Sequence, residues 1–135
     1  GGGIALFVGA LDERVRAGFV QGYLGGTVSP AFIPGHGCDF IPNLHRFADM
    51  SDVMRLVAPR PVLYAYPRAR ASTSIAKQTF DRMRPIYEEF SCPDRTGFYD
   101  HDPGDEFNAE LAATWFERWL IEEDDTDVLL WAPRE

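Results

Sequence analysis

Three short, mostly apolar segments alternate along the chain with longer segments whose apolar residues recur every three or four positions. The short segments cover residues 17–24, 61–67 and 95–100. Alternation of strand-like and helix-like segments is typical of parallel sheets, because a crossover helix must return the chain before the next parallel strand begins. We therefore predict an α/β fold with about three parallel strands and flanking helices, arranged as half of a three-layer sandwich.

Four helices are predicted around these strands. On the first, the predicted buried face holds Ile4, Val8, Leu11 and Val15. Helices are also predicted over residues 43–58, over residues 74–90 with a kink at Pro85, and from residue 105 to about 122. Residues 1–122 then form one domain, and residues 123–135 form an acidic tail with an apolar patch.

The charge of the chain excludes two classes of partner. Its formal net charge is −8. The surplus of acids lies in residues 94–135, which contain thirteen Asp and Glu but only three Arg. Nucleic acids and anionic membranes repel such a chain, so we expect neither as a partner. No apolar run is long enough to cross a bilayer and the first residues lack a secretion signal, which predicts a soluble, cytoplasmic protein.

A long segment rich in glycine and proline, residues 25–42, is a first candidate for function. Loops of this length in compact domains are often binding segments, although a simple surface excursion is an equal alternative. The segment contains His36, Cys38 and Asp39, which could contribute to a metal site, whereas the glycines beside them indicate turns more simply. Cys38 and Cys92 lie far apart and form no zinc motif, and we predict no metal and no cofactor.

The second candidate follows the third predicted strand. Ligands bind parallel sheets outside the carboxyl ends of the strands, which directs attention to the segments after residues 24, 66 and 100. The segment after residue 66 contains no carboxylate, whereas residues 101–106 (HDPGDE) are rich in titratable groups and lead into a helix. His101 could act there as a general base, or the segment could be a solvated turn with a helix cap.

Several segments, in order, resemble one family. Residues 1–6 (GGGIAL) and 10–15 (ALDERV) look like the helix that follows the nucleophile of an α/β-hydrolase. Residues 42–50 (PNLHRFADM), 58–63 (APRPVL) and 103–107 (PGDEF) occur in the order found in the acetyl xylan esterase and dienelactone hydrolase-like branch. The resemblance extends to about Glu122.

The resemblance implies a serine, an acid and a histidine in that chain order. The serine would precede Gly1 or fall on it, so Gly1 and Gly2 mark the oxyanion and nucleophile-adjacent positions. The acid is expected between residues 67 and 74, which contain none, and the histidine position is occupied by Asp105. An aspartate is ionised near neutral pH and cannot shuttle the proton, and His101 could replace it only through an altered loop.

Three functional hypotheses follow. The first is a protein of carboxylic ester hydrolase ancestry that is catalytically silent as this chain, with a small-molecule ester as its substrate if it has one. The second is a non-catalytic interaction module that associates through an exposed sheet edge and the acidic tail, with a second copy or a missing N-terminal half as its partner. The third and weakest is a metal-dependent hydrolase that uses His36, Asp39 and His101.

Overall fold

The predicted three-stranded parallel sheet is present. A computed structural model describes residues 1–23, 41, 43–68, 73–101 and 107–122, and all structural statements concern these residues. The strands are β1 (Gly18–Gln21), β2 (Val62–Pro67) and β3 (Thr96–His101), and they lie in the order β1-β2-β3 with parallel pairing throughout. The helices are α1 (Gly2–Leu11), α2 (Met50–Arg55), α3 (Thr73–Met83), α4 (Pro85–Glu89) and α5 (Ala109–Glu117).

The central strand β2 is buried on both faces. All six of its residues are buried, as expected for a parallel strand with a helical layer on each side. On one face Val62, Tyr64 and Tyr66 pack in a core with residues of α1, α2, α3 and α4. On the other face Leu63 and Ala65 pack with Ala112 of α5. Helices therefore cover both faces of the sheet.

The predicted buried face of α1 is wrong. Ile4, Val8 and Leu11 are 72%, 48% and 77% exposed, whereas Leu6 and Gly9 are buried. The sequence of α1, GGIALFVGAL, contains no polar side chain, so apolar periodicity cannot distinguish one face from another. Gly9 packs beside Val57, where a Cβ atom would lie 3.8 Å from Val57 Cγ2, an ordinary contact distance.

The segment predicted as one helix over residues 43–58 contains two shorter elements. A 3-10 turn covers Leu44–Arg46, and α2 begins only at Met50. The Asp49 and Asp52 side chains form a capping box that satisfies the first N–H groups of α2 and fixes its start. Phe47, which falls within the segment predicted as helix, consequently lies outside α2 and is 84% exposed.

The two later helices also differ from their predicted boundaries. The kink expected at Pro85 is a break, because proline has no N–H to continue the hydrogen-bond ladder, and α3 and α4 are separate helices. The closing helix α5 begins at Ala109, where Asn108 accepts a hydrogen bond from the N–H of Leu111 at 3.0 Å. It ends in a π-helical turn, Arg118–Glu122. Residues 102–106, which include its predicted start, are outside the described residues.

Arg60 gives the APRP segment, residues 58–61, a structural role through its hydrogen bonds. Its Nη1 donates to the carbonyl oxygens of Asp12 and Val15 at 2.9 and 3.0 Å, and its Nη2 donates to that of Leu56 at 3.1 Å. One guanidinium thereby joins the turn after α1 to the turn before β2. The backbone carbonyl of Arg60 in turn accepts a hydrogen bond from the Tyr87 hydroxyl at 2.8 Å.

We expect Arg60→Met to lower the free energy of unfolding by about 2 kcal/mol, since three carbonyls, two of them in partly buried hydrogen bonds, lose their donors. Urea unfolding followed by circular dichroism measures the change. Arg14→Met is the matched control: Arg14 pairs with Asp12 on the surface, holding the pKa of that carboxyl at about 2, but its side chain is 90% exposed. The control should leave the free energy of unfolding unchanged. An equal loss of unfolding free energy in both variants would contradict the role of Arg60.

Two buried tyrosines in the larger core differ in their hydrogen bonding. The Tyr87 hydroxyl donates to the carbonyl of Arg60, whereas the Tyr64 hydroxyl is buried with no hydrogen-bond partner among the described residues. Burial raises the pKa of both phenols above the ordinary value, because the phenolate is desolvated. The fold thus favours both neutral forms, and this stabilisation is present below about pH 10 and is lost as the pH rises further.

Phenylalanine substitutions should separate these effects. Near neutral pH, Tyr64→Phe should leave stability unchanged or raise it, because an unsatisfied hydroxyl is removed. Tyr87→Phe should lower the unfolding free energy by about 1–2 kcal/mol, because the Arg60 carbonyl loses its donor. Each variant should also lose less stability between pH 10 and 12 than the parent. Urea titrations at pH 7 and pH 11 test both points. If Tyr64→Phe lost more unfolding free energy at pH 7 than Tyr87→Phe, the assigned difference in hydrogen bonding between the two hydroxyls would be refuted.

Candidate functional site

The carboxyl ends of the three strands meet at one edge of the sheet, which is where sites of parallel sheets form. Gln21, Pro67 and His101 are the last residues of β1, β2 and β3. The start of α1 lies at the same edge. A Cβ atom on Gly2 would stand 2.3 Å from the carbonyl oxygen of Gln21, so glycine is required for this approach.

His101 contacts the end of β1 across the edge. Its Nε2 atom lies 3.4 Å from the amide nitrogen Nε2 of Gln21, although the two residues are 80 positions apart in sequence. The imidazole also stacks on the ring of Tyr99, with 6.4 Å between centroids and 16° between planes. His101 is therefore a positioned, partly buried side chain at the sheet edge.

The Gln21 amide determines which hydrogen-bonding role His101 takes. Gln21 Oε1 accepts a hydrogen bond from the backbone N–H of Asn108 at 3.1 Å, which orients the amide nitrogen towards His101. An amide nitrogen donates and does not accept, so His101 Nε2 is the acceptor in this contact. The neutral imidazole then carries its proton on Nδ1.

The described residues that follow β2 provide a cation and a hydroxyl. The Arg68 side chain lies 3.3 Å from the Asp100 carboxylate, and the backbone N–H of Arg68 donates to the carbonyl of His101 at 2.7 Å. The Thr73 hydroxyl donates to the carbonyl of Pro67 at 2.7 Å. Asp100, the carboxylate that β3 brings here, is thus engaged by arginine.

Some predicted site residues come together here and others cannot be placed. Gly2 and His101 lie at the same edge, with Gly1 immediately before α1. Asp105, His36 and Asp39 fall outside the described residues, so their predicted roles stay predictions. Within the described ranges, no group of three or more His, Cys, Asp or Glu side chains could hold a metal ion.

Sequence reasoning missed Gln21 and Asn108. Gln21 is the one amide side chain in the mostly apolar segment 17–24, and this is a usable signal, because a polar residue near the end of a buried parallel strand reaches the functional edge of the sheet. Asn108 could have been found as a favourable N-cap residue before an apolar periodic segment. Their contact with each other joins residues 87 positions apart and could not be read from local pattern.

Solved structures share this arrangement of strands and helices. A carbohydrate esterase family 15 glucuronoyl esterase from Caldicellulosiruptor kristjansonii superposes with a TM-score of 0.71 at 21% identity, covering 93% of this chain and 42% of the esterase. The glucuronoyl esterase catalytic domain from Hypocrea jecorina gives 0.70 at 12%, covering 91% and 42%. A promiscuous esterase of the same carbohydrate esterase family from a marine bacterial metagenome gives 0.65 at 15%, covering 86% and 38%.

These similarities define the fold class. The chain has part of the α/β-hydrolase fold, as the sequence resemblance implied, and it spans less than half the length of each of these esterases. No family model matches the sequence, and no curated protein sequence does. Among the described residues, no helix has both the length and the apolar character needed to cross a bilayer.

The tautomer of His101 is a direct test of the site geometry. We expect its Nε2 to be unprotonated in the neutral ring, as measured by the ¹⁵N chemical shifts of the imidazole above pH 8. Gln21→Glu should move the proton to Nε2, because a carboxylate in this place accepts a hydrogen bond. Gln21→Met serves as the control, because its side chain neither donates a hydrogen bond to the imidazole as the amide does nor accepts one as a carboxylate does. Identical ring shifts in all three proteins would contradict the contact.

Proposed function

We propose that this chain has carboxylic ester hydrolase ancestry, that residues 1–122 form the carboxyl-terminal part of such a domain, and that the 135-residue chain does not itself hydrolyse esters. The shared fold supports the ancestry, since the matching structures are esterases. Two of them are glucuronoyl esterases, which suggests glucuronoyl esters as the ancestral substrate class. The acetyl xylan esterase branch indicated by the sequence remains the alternative.

One observation carries the proposed lack of activity. A general base must offer a nitrogen lone pair to a hydroxyl nucleophile, but the Nε2 lone pair of His101 accepts from the amide of Gln21. That amide is held by the backbone N–H of Asn108, so the contact is part of the folded structure. This contact supports the proposal that His101 is a structural acceptor at the edge where a proton-transferring histidine would be needed.

The acid of a triad has no counterpart in the described residues either. A triad carboxylate accepts a hydrogen bond from the histidine and stabilises the imidazolium that forms during the reaction. Asp100 follows Tyr99 on β3, and its carboxylate pairs with Arg68 on the surface. Its neighbour His101 lies on the opposite face of the strand, because successive side chains of a strand alternate between faces.

The proposal predicts no ester hydrolysis above the buffer rate with nitrophenyl acetate or benzyl glucuronate, and no labelling by a fluorophosphonate that reacts with activated serines. The glucuronoyl esterase from Caldicellulosiruptor kristjansonii is the positive control. His101→Ala should not alter the background. Turnover that the fluorophosphonate abolishes, or that His101→Ala lowers by roughly 100-fold or more, the contribution of a general base, would refute the absence of activity.

A second candidate function is an interaction module. The observation that favours it is the exposure of three apolar side chains on α1, a helix that contains no polar residue. Apolar surface that is contiguous on a helix face commonly marks a protein contact. The sequence-based hypothesis placed the contact at an exposed sheet edge and the acidic tail; the tail lies outside the described residues, so the exposed surface of α1 is an additional observation in favour of an interaction module.

A further inference from the structure

The Gln21 side chain lies between two groups that can donate hydrogen bonds. The backbone N–H of Asn108 donates to Gln21 Oε1 at 3.1 Å, and the imidazole Nε2 of His101 lies 3.4 Å from the amide nitrogen of Gln21. A backbone N–H always donates, whereas an imidazole nitrogen donates or accepts according to its tautomer. The amide therefore fits this position only when His101 adopts the tautomer with an unprotonated Nε2.

A carboxylate would fit the same position without that restriction. Both of its oxygens accept, so one could take the N–H of Asn108 and the other an imidazole N–H of His101. The acid of a catalytic triad makes such a contact, because it accepts from one ring nitrogen and leaves the lone pair of the other nitrogen to act as the base. The end of β1 therefore has the geometry of an acid position, although the sequence resemblance implied the acid between residues 67 and 74.

An amide at this position has the opposite effect on the imidazole. Gln21 donates to the lone pair of His101 Nε2, and the proton of the neutral ring then lies on Nδ1. Neither nitrogen of that tautomer presents a lone pair to a substrate. The consequence for catalysis is large, since exchanging the acid of a serine protease triad for its amide lowers the rate by about 10⁴-fold through the tautomer alone.

We propose that Gln21 is the positioning residue that prevents His101 from acting as a base, because it places an amide where a triad would have its carboxylate. The inference rests on the proposed absence of ester hydrolysis and names the residue that causes it. Asp100 does not supply the missing charge, since its side chain lies on the opposite face of β3 and pairs with Arg68. One substitution, Gln21→Glu, should then make the imidazole reactive.

The expected reaction uses 4-nitrophenyl acetate. In the Gln21→Glu variant, the Nδ1 lone pair of His101 attacks the acetyl carbon, the bond from that carbon to the nitrophenolate oxygen breaks, and the Nε2 proton passes to the introduced carboxylate. Water then hydrolyses the acetylimidazole to acetate and restores the ring. His101 is only partly buried, so the ester can approach its ring.

Nitrophenolate release by the full chain at pH 7 tests the proposal. The parent should stay at the buffer rate and Gln21→Glu should exceed it. Adding His101→Ala to the Gln21→Glu variant should lower that rate by roughly 100-fold, the contribution of proton transfer by a positioned group. The matched control is Gln78→Glu, which makes the same change at the other glutamine of the chain, on the exposed side of α3, and should stay at the buffer rate.

Urea unfolding keeps the test decisive if no rate is seen. Because a carboxylate retains both contacts of the amide, Gln21→Glu should unfold at pH 7 with a midpoint no lower than that of the parent. A lower midpoint, a folded variant that stays at the buffer rate, or a rate that His101→Ala leaves unchanged would overturn the inference. Turnover by the parent itself would refute the proposed function instead, so the two failures are distinguishable.

Discussion

The burial of β2 on both faces is the constraint on which the rest of the described structure depends. A parallel strand with no exposed face needs a helical layer on each side, and the two cores on either side of Tyr64 and Leu63 supply them. Because β2 also pairs with β1 and β3, its position brings the ends of both outer strands to one edge. Every polar contact of the candidate site lies at that edge.

The polar residues of the candidate site bond to one another across the edge of the sheet. Gln21 joins the end of β1 to His101 of β3 and to the start of α5 through the two ends of one amide. Each such hydrogen bond contributes only modestly to the free energy of unfolding. Removing one partner is more costly, because the other buried group is left unsatisfied. The same contact that stabilises the junction of β1, β3 and α5 therefore occupies the imidazole nitrogen that proton transfer would require.

The sequence predicted the class of fold, and it failed where contacts between distant segments decide the outcome. The order and approximate bounds of the strands follow from local apolar runs, and the predicted strand ends at residues 66 and 100 lie within one residue of the observed ends at Pro67 and His101. The orientation of α1 could not be predicted, because a helix without polar residues has no face that periodicity can identify. The contact of Gln21 with His101 was also out of reach, since it depends on pairing across a whole sheet. Local capping, at Asp49 and Asn108, explains why two helices start later than their apolar patterns suggested.

The exposed apolar surface of α1 is where a larger sheet would continue. The helices α2, α3 and α4 all lie on the face of the sheet that carries α1, and the strands advance from β1 to β3 in one direction. Crossovers between parallel strands are right-handed in nearly all proteins, so in a longer polypeptide a strand leading into α1 would run along the outer edge of β1. Such a strand and its own neighbours would lie against the exposed side chains Ile4, Val8 and Leu11. The all-apolar composition of α1, which does not suit a helix with an exposed face, is the composition expected of a helix packed inside that larger sheet.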